Sequence, residues 1–67
     1  MGVENHVRKL RQERKITQIQ MAAALSTSRQ TIIAIENNKY NPSLEMALKI
    51  SDYFDVPLQK IFYLKDS

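Results

Sequence analysis

One short segment in the first half of the chain combines polar, cationic and apolar residues at helical spacing. At 100° per residue, positions 28–37 divide into two sides of a helix. One side carries Ile32 and Ile35, which suit a packed core. The other side carries the following residues: Arg29, Gln30, Ile33, Ala34 and Asn37. The pattern predicts a helix that packs on one side and presents a mixed polar surface on the other.

This outer surface has the side chains needed to recognise the edges of base pairs. An arginine such as Arg29 can donate to O6 and N7 of guanine, and a glutamine such as Gln30 can pair with N6 and N7 of adenine. Ile33 and Ala34 can contact a thymine methyl group. The residues therefore favour a helix that reads the major groove of double-stranded DNA. For Arg29, a solvated cation near the helix start is the alternative interpretation.

The residue types in the sequence do not support a catalytic site or a metal-binding site. The chain has one histidine, His6, and no cysteine. A metal site or a catalytic centre needs a cluster of such ligands, or a nucleophile beside a base. The serines and threonines instead occupy positions typical of helix caps. We therefore expect no enzyme activity, no metal site and no cofactor.

The length of the chain indicates one domain, spanning residues 1–67, and its basic residues are concentrated in the N-terminal part. Residues 1–40 hold seven Lys and Arg against three Glu, a balance of +4, and residues 41–67 hold three against four, a balance of −1. This asymmetry fits a polyanion on one side and protein contacts on the other, although charge alone fits a solvated surface as well. The chain shows neither a membrane-spanning run nor a signal-peptide pattern, so the expected compartment is the cytoplasm, at the nucleoid when DNA is bound.

Apolar residues recur with helical period, and no alternating stretch is convincing, so the expected class is all-α. Five helices are predicted, at about 4–14, 17–25, 28–37, 43–54 and 57–63. The start at Thr17 is the best defined, because Thr17 to Gln20 matches a capping box. Ser28 and Ser43 are the expected N-caps of the third and fourth helices.

An arginine in the first helix needs a carboxylate partner. Arg11 projects onto the same side as Val7, and an unpaired buried charge is very costly. Glu36, at the edge of the apolar side of the third helix, is the natural partner.

The last helix carries more apolar surface than one face can bury in so small a domain. Two interpretations are open: these side chains fold back onto the fourth helix, or they form a two-fold dimer contact. We favour the dimer contact, through Ile61, Phe62, Tyr63 and Leu64, with Leu58 as a further candidate. Such a dimer would place two recognition helices about 34 Å apart, which is one turn of DNA.

Several segments together resemble the Cro/CI-type helix-turn-helix regulators over about residues 5–64. They are TQ at 17–18, SRQTI at 28–32, IEN at 35–37, YNPS at 40–43 and ALKI at 47–50, with Ala22 and Leu25. The resemblance implies a five-helix, lambda-repressor-like domain that binds operator DNA, commonly as a homodimer. It also implies that the third helix is the recognition helix and that Arg11 and Glu36 form a structural ion pair.

The resemblance assigns roles to individual positions. Base contacts fall to Arg29, Gln30, Ile33 and Ala34, and backbone contacts to Gln18 and Asn37. Further phosphate candidates, from their position and chemistry, are Thr27, Ser28, Asn38 and Lys39. The family often has glycine at the positions of Ser26 and Lys15, and a left-handed non-glycine residue costs about 1 kcal/mol.

The expected function is therefore a sequence-specific, double-stranded DNA-binding transcriptional regulator, more specifically a repressor acting as a homodimer on a pseudo-palindromic operator. The alternative is an antitoxin-like module that binds a toxin protein and its own promoter. A third interpretation is a protein–protein adaptor that retains the helix-turn-helix shape without reading DNA.

Overall fold

Five helices lie between two short terminal strands in the computed structural model, which describes residues 2–65. In chain order the elements are β1 Gly2–Asn5, α1 Val7–Glu13, α2 Gln18–Ala24, α3 Arg29–Glu36, α4 Leu44–Phe54, α5 Leu58–Ile61 and β2 Phe62–Lys65. The predicted five-helix architecture is confirmed. Within the described part of the chain, no helix is both long enough and apolar enough to cross a membrane.

The two ends of the chain differ from the prediction, because they form an antiparallel two-stranded sheet. Val3 pairs with Leu64, and Glu4 with Tyr63. Helix α1 consequently starts at Val7 rather than at residue 4, and α5 ends at Ile61 rather than at residue 63. Each strand has four residues, too few for an alternating pattern to be recognised. Their pairing depends on residues at the opposite end of the chain, so local sequence signals do not predict it.

One apolar core joins all five helices. Its buried members are Val7, Met21, Ala22, Leu25, Ile32, Ile35, Ile50, Phe54 and Ile61. Arg14 contacts the end of α4 at the edge of the core. Its Nη2 donates to the carbonyl oxygen of Phe54 at 2.8 Å, and its guanidinium lies 5.2 Å from the centre of the Phe54 ring.

The predicted set of dimer-contact residues is wrong in part. Ile61 is completely buried in the core, so its side chain has no surface to offer a second subunit. Phe62 packs partly against the same core, whereas Tyr63 and Leu64 are 38% and 65% exposed. Because alternate residues of a strand face opposite sides, Tyr63 points away from Phe62 and Leu64. The four residues therefore do not share one surface.

Four helices are followed within two residues by a residue in the left-handed conformation, and none of these residues is glycine. They are Lys15, Ser26, Asn38 and Asp55, with φ between 55° and 59°. At Ser26, its amide donates to Ala23 at 3.2 Å and the Thr27 amide donates to Ala22 at 2.9 Å, which is the Schellman pattern. The turn between α2 and α3 thus keeps the geometry that usually selects glycine.

Candidate nucleic-acid interface

Helix α3 turns its apolar side into the core and its polar side outward. Ile32 and Ile35 are fully buried. Arg29 and Gln30 are exposed at the helix start, and Ile33 and Ala34 are partly exposed on the following turn. We call these last four residues the outer set: Arg29, Gln30, Ile33 and Ala34. Their common side faces away from Ile32 and Ile35, so it is the side that can enter a groove.

Local capping fixes the two helices that carry this surface. Gln20 N donates to Thr17 Oγ1 at 3.0 Å, and Thr17 N donates to Gln20 Oε1 at 2.8 Å, which is the predicted capping box. At the start of α3, the Thr31 amide donates to Ser28 Oγ at 3.1 Å. The small, buried Ala22 lets α3 lie close to α2. These contacts set the angle at which the outer set is presented.

A buried ion pair supports α3 from behind. Arg11 Nε donates to Glu36 Oε2 at 2.6 Å and Arg11 Nη2 to Glu36 Oε1 at 3.2 Å. The Glu36 side chain has no exposed area. Burial alone raises the pKa of Glu36, but hydrogen bonds from Arg11 and Gln18 and the charge of Arg11 outweigh it. The pKa of Glu36 therefore lies below the ordinary glutamate value, and the carboxylate stays charged.

Gln18 joins this ion pair to the outer set. Its Nε2 donates to Glu36 Oε1 at 3.1 Å, and its Oε1 accepts from Arg29 Nε at 3.2 Å. In the DNA-free protein the predicted phosphate contact Gln18 is thus occupied in holding Arg29. Because a hydrogen bond restricts the rotamers of both partners, the Arg29 guanidinium is oriented before any DNA arrives.

Arg8 occupies the other side of Glu36. Its Nε lies 3.5 Å from Glu36 Oε1, and its Nη2 donates to Asn37 Oδ1 at 2.5 Å. These contacts of Arg8 were not predicted from the sequence. The available signal was its spacing, since a residue three before Arg11 lies on the same side of α1.

The remaining phosphate candidates lie at the two ends of α3. Thr27 and Ser28 precede the helix, and Asn37, Asn38 and Lys39 follow it. The Ser28 hydroxyl already caps the helix, and Asn38 Oδ1 accepts from Asn5 Nδ2 at 3.2 Å. The exposed Lys39 ammonium carries a charge that can reach a phosphate.

Asn5 is a positioning residue that the sequence analysis missed. Its Nδ2 donates to the carbonyl oxygen of Ile35 at 2.9 Å, and its Oδ1 accepts from the Val7 amide at 3.0 Å. One side chain thereby ties β1 and the start of α1 to the end of α3. The recognisable signal was local, because asparagine often bonds the backbone two residues ahead.

An open cleft beside α3 is lined by cations and carries no carboxylate among its lining residues. The cationic members are Arg8, Arg11, Lys15 and Arg29, and the rest are Gln12, Ile16, Thr17, Gln18 and Ile19. Like-signed charges around a concave surface raise the local potential. Although Glu36 offsets the charge of Arg11, the cleft and the outer set still present a net positive charge, which suits a polyanion.

Comparison with known proteins agrees with this geometry. The sequence model described as Helix-turn-helix matches residues 7–61. An uncharacterised HTH-type transcriptional regulator from Methanocaldococcus jannaschii is 44% identical over 64 residues, covering 96% of this chain and 97% of that protein. YgzD, an uncharacterised HTH-type transcriptional regulator from Bacillus subtilis, is 34% identical over 64 residues with the same coverage, 96% and 97%.

The similarity extends to a longer relative and to a solved structure. A regulatory protein of the HTH type from Methanococcus maripaludis is 42% identical over 60 residues, and the match spans 90% of this chain but 18% of that protein. The crystal structure of a candidate DNA-binding protein from Bacteroides fragilis superposes with a TM-score of 0.82 at 24% identity, covering 91% of this chain and 98% of that one. This structural similarity, at 24% identity, supports the fold alone. The family match and the full-length relatives show that this chain belongs to the Cro/CI-type helix-turn-helix family of DNA-binding, non-enzymatic transcriptional regulators.

Proposed function

We propose that this chain is a sequence-specific repressor that binds a pseudo-palindromic operator through the major groove, as a homodimer, in the cytoplasm. The observation that carries the proposal is the outer set on α3, which is exposed or partly exposed, mixed in chemistry and linked through Arg29 to Gln18 and Glu36. A surface built only for solvation would not need such a link.

The outer set supplies direct base readout in this proposal. Arg29 donates to guanine, Gln30 pairs with adenine or accepts from cytosine, and Ile33 with Ala34 meets a thymine methyl group. Phosphate contacts at the two ends of α3 fix the position of the helix without specifying sequence. Those contacts are assigned to Gln18, Thr27, Ser28, Asn37, Asn38 and Lys39.

An uncharged groove is the surface through which we propose that the homodimer forms. It takes the place of the predicted contact through residues 61–64. We call it the apolar groove; it is lined by Val3, Asn41, Pro42, Leu44, Ala47, Leu58 and Phe62. Leu44 at its rim is 71% exposed. A two-fold interface sets the same surface against itself. Because the groove has no charged lining residue, self-association there brings no like charges together.

The occupant of the apolar groove also separates the two leading functions. A second copy of this chain is the occupant that a repressor on a two-fold operator needs. In the antitoxin interpretation a toxin protein would cover exposed apolar surface of this kind. A purified chain that is dimeric without any other protein supports the first function.

The proposal is tested by selecting bound sequences from random double-stranded DNA. A repressor of this design selects one site with two related half-sites, whose centres lie about 34 Å apart along the helix axis. Sedimentation of the free protein and of the complex gives the number of chains. Binding that is independent of sequence, or a complex with one chain per site, contradicts the proposal.

A further inference from the structure

The hydrogen bond between Arg8 and Asn37 lies beside the buried Arg11–Glu36 ion pair, at the end of α3 to which phosphate contacts are assigned. Arg8 Nη2 donates to Asn37 Oδ1 at 2.5 Å, and the Arg8 side chain is 51% exposed. Asn37 directly follows α3 as its C-cap and is exposed. The two residues belong to α1 and to the end of α3, so this contact also spans two elements.

The contact determines which way the Asn37 amide faces. An asparagine amide has one oxygen that accepts and one nitrogen that donates twice. Arg8 can only donate, so it holds the oxygen and leaves Nδ2 on the opposite side. Within residues 2–65, Asn37 Nδ2 donates to no acceptor, whereas Oδ1 accepts from Arg8. A phosphate oxygen only accepts, and it therefore needs the donor side of the amide.

The Glu36 charge does not require Arg8, so Arg8 can hold the Asn37 amide. Glu36 carries one negative charge, and Arg11 already pairs with it through two hydrogen bonds, at 2.6 and 3.2 Å. The Arg8 contact with Glu36 is longer, at 3.5 Å, and contributes less to holding the carboxylate. The principal contact of Arg8 in this region is thus with Asn37.

We propose that Arg8 is a positioning residue for DNA binding: it holds Asn37 Oδ1 so that Asn37 Nδ2 faces a phosphate of the bound DNA. The inference rests on the proposed function and adds to it a residue of α1 that acts through another side chain. The competing role is a direct contact between the Arg8 guanidinium and a phosphate.

A double-mutant cycle with a salt titration separates the two roles. The variants are Arg8→Ala, Asn37→Ala and the pair together, with Lys9→Ala as a control that removes the same charge from the neighbouring position of α1. Each is titrated on the operator selected by the wild-type protein. Thermal unfolding of each free protein checks that it is folded.

A positioning role predicts strong coupling between the two substitutions. Arg8→Ala should weaken operator binding about fivefold, the loss expected for one hydrogen bond, but less than twofold when Asn37 is already alanine. The slope of log affinity against log salt concentration should stay at the wild-type value, since Asn37 is uncharged. Arg8→Lys, which keeps a donor for Oδ1, should restore most of the affinity, and Lys9→Ala should change it less than twofold.

The opposite results overturn the inference. Equal losses from Arg8→Ala with and without Asn37, or a slope reduced by about 0.9, would make Arg8 a direct phosphate contact. Operator binding unaffected by Arg8→Ala would leave it without a role. These outcomes keep the proposed function intact, because the wild-type protein still selects an operator. A wild-type protein that selects no sequence refutes the proposed function and this inference together.

Discussion

Arg11 Nε lies 2.6 Å from Glu36 Oε2, in a pair whose carboxylate has no solvent exposure and whose guanidinium side chain is 11% exposed. The arginine belongs to α1 and the glutamate to the last turn of α3. The pair thereby fixes α3 to the rest of the domain. Arg8 and Gln18 reach the same carboxylate from two sides, so Glu36 is the centre of the polar contacts behind the interface.

Removing the carboxylate should be far more damaging than removing an exposed one. Glu36→Ala leaves the Arg11 charge buried without a partner, and we expect a loss of about 3–5 kcal/mol in the free energy of unfolding. Glu45→Ala is the matched control, because Glu45 pairs with Lys49 at 3.5 Å on an open surface and should cost less than about 1 kcal/mol. Urea unfolding measures both, and similar midpoints for the two variants would refute the role of Glu36.

The same carboxylate should make stability depend on acid pH. Its pKa is lower in the folded protein than in the unfolded chain, so the unfolded state takes up the proton first as pH falls. Stability from this group is complete above the ordinary glutamate pKa and is lost as pH falls through the folded value. Urea midpoints should therefore drop more steeply with acid for the wild-type protein than for Glu36→Gln. Parallel pH profiles would contradict this.

Glycine should stabilise the turns that now hold left-handed side chains. Lys15 has a φ of 57° and Ser26 a φ of 55°, and each conformation costs about 1 kcal/mol for such residues. Lys15→Gly and Ser26→Gly should each raise the melting temperature. Asn38→Gly should raise it less, because asparagine tolerates this region better. Lys9→Gly should lower the melting temperature, because glycine within a helix such as α1 costs about 1 kcal/mol of stability. Equal effects at all four positions would show that the backbone angles are not the cause.

A charge in the apolar groove should separate the subunits. Leu44→Glu places a carboxylate on each side of a two-fold contact, and burying unpaired like charges opposes association. We expect a monomer by sedimentation, with operator affinity reduced and the fold retained. Ile19→Glu is the control for sedimentation alone, since Ile19 is 65% exposed and lies outside the groove, although it lines the cationic cleft beside α3. If both variants dimerise like the wild-type protein, the dimer uses another surface.

Local signals in the sequence predicted the parts of this fold that depend on neighbouring residues. The capping box at Thr17 and the N-caps Ser28 and Ser43 all appear in the structure. The two sides of α3 follow directly from its 3.6-residue period, so Ile32 and Ile35 are buried as expected.

Contacts between residues far apart in the chain could not be predicted from such local signals. The pairing of β1 with β2 joins the two ends of the chain, and it converts Phe62 and Tyr63 from predicted helix to strand. Ile61 was assigned to a dimer because its apolar character alone does not distinguish core from interface. The link from Arg8 to Asn37 also depends on how α1 lies against α3, whereas the spacing of Arg8 and Arg11 indicates only that both lie on one side of α1.

The central claim is that the outer set on α3 reads base sequence, and Arg29 tests it most directly. Sequences selected from random DNA by the wild-type protein and by Arg29→Ala should differ at one base pair in each half-site, where the variant accepts any base. Its affinity for the wild-type operator should fall by about 1–3 kcal/mol, with little change on random DNA. An unchanged selected sequence, with equal weakening on operator and random DNA, would make Arg29 a phosphate contact and contradict the account.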